Sequence, residues 1–191
     1  MNLPPEDPPA APTQELRAEH RIIERVLRVL IALLALPDFQ ADALRECITF
    51  FRLFADACHH GKEEDMLFPV LEKHGLPRET GPIAVMLREH AAGRALVAAM
   101  GRHLPAAESG DTVSQACFRE LACDYVALLT QHIWKEDNVL FRMGEHQIGP
   151  AASAQLSGHF CNFRCREFEG RRREELISIA DRLARRWTPS P

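Results

Sequence analysis

Histidines and carboxylates are concentrated in the short stretch between His59 and Pro69. Residues four apart on a helix share a face, so His59 and Glu63 point the same way, and so do His60 and Glu64. An imidazole and a carboxylate at this spacing can chelate a transition metal such as iron, manganese or zinc. A charged, solvated helix end would look similar. The stretch therefore indicates a metal site only if other helices bring further ligands to it.

Four segments have the apolar spacing of amphipathic helices, at residues 14–36, 41–68, 82–104 and 112–143. Each carries one histidine within its apolar stripe, namely His20, His59, His90 and His132. Counted from the connecting loops, these histidines lie at comparable heights. Because the loops are short, the sequence predicts an all-α fold, an antiparallel up-down four-helix bundle with a C-terminal helical extension.

Two carboxylates also occupy apolar stripes, Glu63 and Glu136, each four residues after a stripe histidine. A lone histidine on an apolar face is usually an ordinary core residue. A buried carboxylate, however, is costly unless it is paired or bound to a metal. Two carboxylates in a helix bundle can bridge two ions, so the duplicated spacing predicts a di-metal site.

The stretches Leu16–His20, His59–Pro69, Met86–His90 and His132–Asp137 carry a family resemblance. Over about residues 14–146 the chain resembles the hemerythrin-like (HHE cation-binding) family. The resemblance implies a non-haem di-iron centre in a four-helix bundle, with histidine terminal ligands and two bridging carboxylates. By position, the terminal ligands are His20, His59, His90 and His132, and the bridges are Glu63 and Glu136.

Two positions depart from the oxygen-carrying hemerythrins. Met86 stands where those proteins have a further histidine, one turn before the third-helix ligand. Their fourth-helix acid stands five residues after its histidine, which leaves Asp137 as the alternative to Glu136. His60 is the candidate for the missing fifth histidine, from the other side of its helix. The predicted metal ligands are thus His20, His59, His60, Glu63, His90, His132 and Glu136, and no residue is assigned a catalytic role.

The function expected from such a centre is the binding or sensing of a small oxidant or gas, which is oxygen, nitric oxide or peroxide. One alternative is a di-iron enzyme that decomposes peroxide or nitric oxide. Another is iron storage or delivery for the repair of iron centres. Two iron ions are the expected cofactor, with manganese or zinc as alternatives. The sequence leaves open which metal and which small ligand are bound, and whether the chain is an enzyme.

Composition excludes several other classes. The 191 residues have a formal net charge of −4 and no central basic block, so nucleic acid is not an expected partner. No apolar run approaches the length of a membrane span. Residues 1–13 are rich in proline, predict a disordered arm and lack the parts of a signal peptide, which favours the cytosol. The six cysteines are then expected to be reduced thiols.

The chain divides into this arm (1–13), the bundle (14–146) and a C-terminal extension (147–191). The extension has a periodic apolar face that includes Phe160, Phe163, Leu176 and Leu183. A disordered tail would not carry such a face. We expect it to pack on its own bundle, with a homodimer through the extension as the alternative.

Overall fold

A computed structural model of the protein describes residues 12–164 and 166–187. The described chain is almost entirely helical, so the predicted all-α class is confirmed. Most of the predicted arm, residues 1–11, lies outside the described residues. The helices are α1 (Pro12–Leu34), α2 (Ala41–Phe50), α3 (Phe68–Lys73), α4 (Gly81–Glu108), α5 (Thr112–Lys135), α6 (Phe141–Gln147), α7 (Pro150–Arg164) and α8 (Arg173–Trp187). A pair of two-residue antiparallel strands, β1 (Glu167–Phe168) and β2 (Arg171–Arg172), lies between α7 and α8.

Three π-helical segments interrupt the α-helices without ending them. Segments π1 (Phe51–His60) and π2 (Glu63–Leu67) join α2 to α3, so residues 41–73 are continuously helical. Segment π3 (Glu136–Leu140) likewise joins α5 to α6, giving a helical run over residues 112–147. Such segments are frequent at functional sites. Four of the predicted ligands lie within them.

A proline inside a helix is expected to kink or break it, but two prolines stand inside helical runs that continue past them. Pro69 follows π2 at the start of α3, within the continuous run of residues 41–73. The run ends at His74, followed by Gly75 with a φ of +100°. Pro105, which directly follows the predicted segment 82–104, lies inside α4, which continues to Glu108. Asp111 then caps α5, its side chain accepting a hydrogen bond from the Ser114 backbone nitrogen at 2.9 Å.

The core consists of two apolar clusters with a polar layer between them. On α1, for example, Leu16 belongs to one cluster and Ile23 to the other, and the polar residues between them include Glu19 and His20. The same order recurs along residues 41–73, α4 and residues 112–147. The first cluster includes Leu30, Phe50, Phe54, Met100 and Phe118. The second includes Leu16, Phe68, Leu71, Ile83 and Phe141. The polar layer is therefore sealed by apolar packing above and below.

The C-terminal helices pack on the same chain. Phe160 of α7 belongs to the second apolar cluster, whereas Phe163 and the buried face of α8 belong to the first. That face consists of Leu176, Ile179, Ala180 and Leu183, and α8 lies mainly against α1. Among the described helices, none is long and apolar enough to cross a membrane.

Candidate metal centre

Histidines and glutamates of the polar layer form two groups that share one residue. The first group, which we call the two-histidine side, consists of His20, His59, Glu63 and Glu136. The second, the three-histidine side, consists of His60, Glu63, His90 and His132. Within each group one ligand atom of every residue lies within 4.8 Å of the others, and all these residues are buried. All seven predicted ligands thus lie together, in two groups of the size that holds a metal ion.

Glu63 and Glu136 lie between the two groups. One oxygen of Glu63 is 3.6 Å from His59 Nε2 and the other is 3.5 Å from His90 Nε2. Glu136 Oε2 is 3.2 Å from Nε2 of both His20 and His132. Each carboxylate therefore faces histidines of both sides. This is the arrangement required of carboxylates that bridge two ions.

Seven polar atoms that face the middle of the layer lack hydrogen bonds within the described structure. They are Nε2 of His20, His59 and His60 and both oxygens of Glu63 and of Glu136. Buried polar atoms are normally hydrogen-bonded, and leaving one unpaired typically costs about 1–3 kcal/mol. Seven such atoms converging on one place fit the donor set of a metal centre. Imidazole nitrogens with carboxylates suit iron, manganese and zinc.

The electrostatics of the layer also favour a cation. Burial and the neighbouring charge of Glu136 raise the pKa of Glu63 well above its usual range. Burial lowers the pKa of His59 to about 4, which keeps this imidazole neutral and able to ligate. For His132 burial also acts to lower the pKa, but the carboxylates of Glu136 and Glu89 together outweigh it and raise the pKa to about 9. Positive charge between the two carboxylates would satisfy both of them.

The structure bears on two positions that the sequence leaves open. His60 Nε2 belongs to the three-histidine side, and the His60 ring stacks on that of His90 with centroids 3.8 Å apart. A π-helical turn is wider than an α-helical turn, so consecutive residues are separated by a smaller angle, and His59 and His60 both face the layer. Asp137 instead lies behind His20, its Oδ1 2.7 Å from Nδ1. Glu136 is thus the helix-four acid that faces the centre.

A carboxylate lies against Nδ1 of every histidine in the layer. The pairs are His20 with Asp137 (2.7 Å), His59 with Glu19 (3.0 Å), His60 with Asp56 (3.4 Å), His90 with Glu64 (2.7 Å) and His132 with Glu89 (3.0 Å). When Nδ1–H donates to a carboxylate, the lone pair of Nε2 is directed towards a metal. We call these five residues the backing carboxylates.

The sequence patterns did not predict this role for any of the five backing carboxylates. Four of the pairs join residues on different helical runs, so no spacing rule within one helix connects them. Only Asp56, four residues before His60, follows such a rule. For two of the other carboxylates the sequence offers only a weaker indication, which is their position next to a histidine. Glu19 and Glu89 each directly precede a stripe histidine.

Basic residues in turn hold the backing carboxylates. Arg94 donates to Asp56 at 2.7 Å and to Glu64 at 2.6 Å, while Arg21 pairs with Asp137 and Lys135 with Glu89. Glu19 receives Lys62 Nζ at 2.6 Å and the guanidinium of Arg173. Burial alone would raise the pKa of Glu19, but His59 and Lys62 lower it to about 2. The histidines are thus oriented by carboxylates that are themselves fixed.

A groove of about 530 Å³ approaches the layer from one side. Its walls are largely apolar, with Phe51, Val97, Leu104 and Tyr125 among them, and it reaches His60 beside the Asp56–Arg94 pair. Gly93 and Gly101 add to its concave wall on α4. The groove therefore leads to the three-histidine side.

Comparison with known proteins identifies the same region. The family model for the hemerythrin HHE cation binding domain matches residues 11–144. That interval contains all seven predicted ligands and the five backing carboxylates.

Two curated relatives are the uncharacterized proteins Rv1995 of Mycobacterium tuberculosis and Mb2018 of Mycobacterium bovis. Each is 27% identical over 142 residues, which is 72% of this chain and 55% of the relative. The chain thus spans about half the length of the curated relatives it matches. No solved structure matches the chain.

Proposed function

The chain belongs to the hemerythrin HHE cation-binding family, and from that premise we propose that it is a non-haem di-iron protein that binds or senses a small oxidant or gas. The proposed ligands are His20, His59, His60, Glu63, His90, His132 and Glu136. Iron bound by this set supplies a redox-active ion that can take oxygen, nitric oxide or peroxide as an additional ligand. The protein residues hold the ions, orient the imidazoles and exclude water.

One observation carries the proposal. Glu63 belongs to both ligand groups, and its two oxygens lie within 3.6 Å of histidines on opposite sides. A carboxylate shared in this way is explained by two ions and not by one. Because its oxygens are buried without hydrogen bonds among the described residues, a role in ordinary core packing does not account for it.

The two sides differ in the number of protein ligands they offer. The two-histidine side has two histidines with Glu63 and Glu136, whereas the three-histidine side has three histidines with the same two carboxylates in reach. An ion held on the two-histidine side would therefore have more room for an added ligand. We place the small ligand there, close to His20 and His59.

The proposed architecture is an up-down bundle over residues 14–146. Short connections between the helical runs and the packing of α4 along α5 support it. The extension, residues 147–191, is proposed to pack on its own bundle, because Phe160, Phe163 and Leu176 are buried against the same chain. On this view the extension leaves little apolar surface for a dimer.

Anaerobic reconstitution with ferrous iron tests the function. The protein should take up about two ions per chain, and its absorption spectrum should change on addition of oxygen, peroxide or nitric oxide. A stable and reversible adduct would support binding or sensing. Rapid consumption of peroxide or nitric oxide without lasting change would support the enzymatic alternative. Uptake of no more than one ion per chain would contradict the di-iron proposal.

A further inference from the structure

The C-terminal segment reaches the metal centre through Arg173, the first residue of α8. Its Nε and Nη2 donate to Glu19 Oε1 at 3.1 and 3.0 Å. The other oxygen of Glu19 is 3.0 Å from Nδ1 of His59. Arg173 lies beyond residues 11–144, the part of the chain that the family model matches. A connected set of hydrogen bonds thus runs from the extension to a proposed metal ligand.

We propose that Arg173 is a positioning residue of the metal centre, acting through Glu19 on His59. This inference rests on the proposed function, because it takes His59 as a metal ligand. Two donors from Arg173 and one from Lys62 hold Oε1, which fixes the rotation of the carboxylate. Oε2 is thereby held against the Nδ1–H of His59, and the Nε2 lone pair is kept towards the ion.

Glu19 depends on this support more than the other backing carboxylates do. Its side chain is fully buried, whereas those of Asp56, Glu64, Glu89 and Asp137 are 15–27% exposed. Water can stabilise a partly exposed carboxylate, but a buried one requires charges supplied by the protein. Lys62 is shared with Glu15, at 2.9 Å. Without Arg173, Glu19 would therefore keep Lys62, a cation that also pairs with Glu15.

The strand pair before α8 determines where Arg173 lies. Arg52 donates two hydrogen bonds, of 2.7 and 2.8 Å, to the carboxylate of Glu169 at the turn of the pair. Phe168 is buried in the first apolar cluster. Gly170, with a φ of +73°, permits the tight turn. The guanidinium of Arg173 lies 5.8 Å from the ring centroid of Phe54. Packing of the extension on the bundle therefore places Arg173 next to Glu19.

The extension also contacts the ligand-bearing helix directly. Phe163 packs so close to Gly61 that a Cβ at this position would lie 3.1 Å from its ring. Lys62 lies over the ring of Phe160, 5.2 Å from the centroid. Both contacts fall between His59 and Glu63 in sequence. The extension thus braces the segment that carries proposed ligands of both sides.

The test uses the full chain with Arg173→Gln, Arg173→Lys as the conservative variant, and Arg182→Gln as the matched control. Arg182 lies on the same helix and pairs with Glu46 at the surface. Affinity is measured for ferrous iron alone, and cobalt(II) serves as a spectroscopic probe of ligand geometry. We expect Arg173→Gln to weaken binding of one of the two ions by about 10–100-fold and to change the cobalt spectrum. Arg173→Lys should recover part of the loss, and Arg182→Gln should match the wild type.

Combination with His59→Ala separates positioning from general stability. If Arg173 acts through His59, Arg173→Gln should not weaken binding of the ion that His59→Ala retains, whereas a general loss of stability would weaken it. Wild-type affinity and spectrum in Arg173→Gln, or an equal loss with and without His59, would overturn the inference. Should Arg173→Gln not fold, Arg173→Lys decides, because a lysine donates from a single nitrogen and lacks the rigid pair of donors that Nε and Nη2 provide. Wild-type affinity in Arg173→Lys would then overturn the inference.

Failure of the proposed function would look different. It would appear as wild-type protein that binds fewer than two ions, or as His59→Ala with unchanged metal content. A wild-type protein with two ions and a sensitive His59, combined with an insensitive Arg173, would reject only the inference.

Discussion

The two sides of the metal centre share Glu63 but differ in what surrounds them. The three-histidine side is backed by Asp56, Glu64 and Glu89, all partly exposed, and the groove reaches it at His60. The two-histidine side is backed by Asp137 and by the fully buried Glu19. The three-histidine side thus has more proposed ligands, and its backing carboxylates are partly exposed to solvent. The other has fewer ligands and a dry support completed by the C-terminal extension.

A site that binds a small ligand has two requirements, and the difference between the two sides bears on both. One ion must keep room for the ligand, and its few protein ligands must then be held firmly because fewer groups share the task. On the two-histidine side, Lys62 and Arg173 hold Glu19, which in turn holds the ring of His59. On the three-histidine side a fuller set of ligands makes rigid backing less necessary.

The largest effect is expected from the residue that the sides share. Glu63→Ala should reduce bound iron from about two ions per chain to less than one, because both sides lose a ligand. Metal analysis of reconstituted protein measures this. The thermal stability gained on loading should also disappear, since metal that binds the native state adds to its stability.

Asp65→Ala is the matched control, because Asp65 lies two residues from Glu63 and is exposed. It should load normally. In the metal-free protein Glu63→Ala should be no less stable than the wild type, because it removes two buried oxygens without hydrogen bonds among the described residues. A fully loaded Glu63→Ala protein would remove the shared residue from the centre.

Single histidine substitutions should affect the sides unequally. His59→Ala leaves one histidine on its side, so roughly half of the bound iron should be lost. His60→Ala leaves His90 and His132 in place and should retain most of the metal, with an altered spectrum. Metal content and absorption of both variants test this. Unchanged spectrum and content in His60→Ala would mean that His60 is a neighbour and not a ligand.

The sequence predicted which histidines and glutamates lie together in the polar layer better than it predicted the residues that surround them. His20, Glu63 and Glu136 are polar residues at positions of an apolar stripe, and such a pattern can be recognised within each helix alone. The inward position of His60 depends on the π-helical turn of its segment, which helical spacing does not predict.

The contacts that support the proposed ligands could not be predicted from helical spacing either. Glu19 serves a histidine on another helix, and Arg173 reaches it from the far end of the chain. Such pairs are set by tertiary packing, which no periodicity in a single sequence encodes. The continuation of the helix through Pro69 likewise depends on the π-helical segment before it.

A smaller effect is expected from Arg94, although it holds two backing carboxylates. Arg94 is 41% exposed, and Asp56 and Glu64 can be hydrated when it is removed. Exposed ion pairs contribute about 0–1 kcal/mol, so Arg94→Ala should weaken metal binding by no more than about fivefold. Titration with ferrous iron measures the affinity. A loss as large as that of Arg173→Gln would show that exposure does not distinguish the supports of the two sides.

The smallest effect concerns the groove at the three-histidine side. A Cβ at Gly101 would meet no atom within 4 Å, so Gly101→Leu should fill part of the groove without displacing the core. Replacing a helical glycine should also stabilise the protein by about 1 kcal/mol. Gly101→Ala serves as the control, since it gives a similar helical gain but leaves the groove open.

If the small ligand binds on the two-histidine side, Gly101→Leu should leave metal content and the rate of nitric oxide binding unchanged. Stopped-flow absorption of the ferrous protein compares both Gly101 variants with the wild type. Slower binding in Gly101→Leu but not in Gly101→Ala would show that the ligand approaches through the groove. Such a result would favour binding beside His60 over the proposed position near His20 and His59.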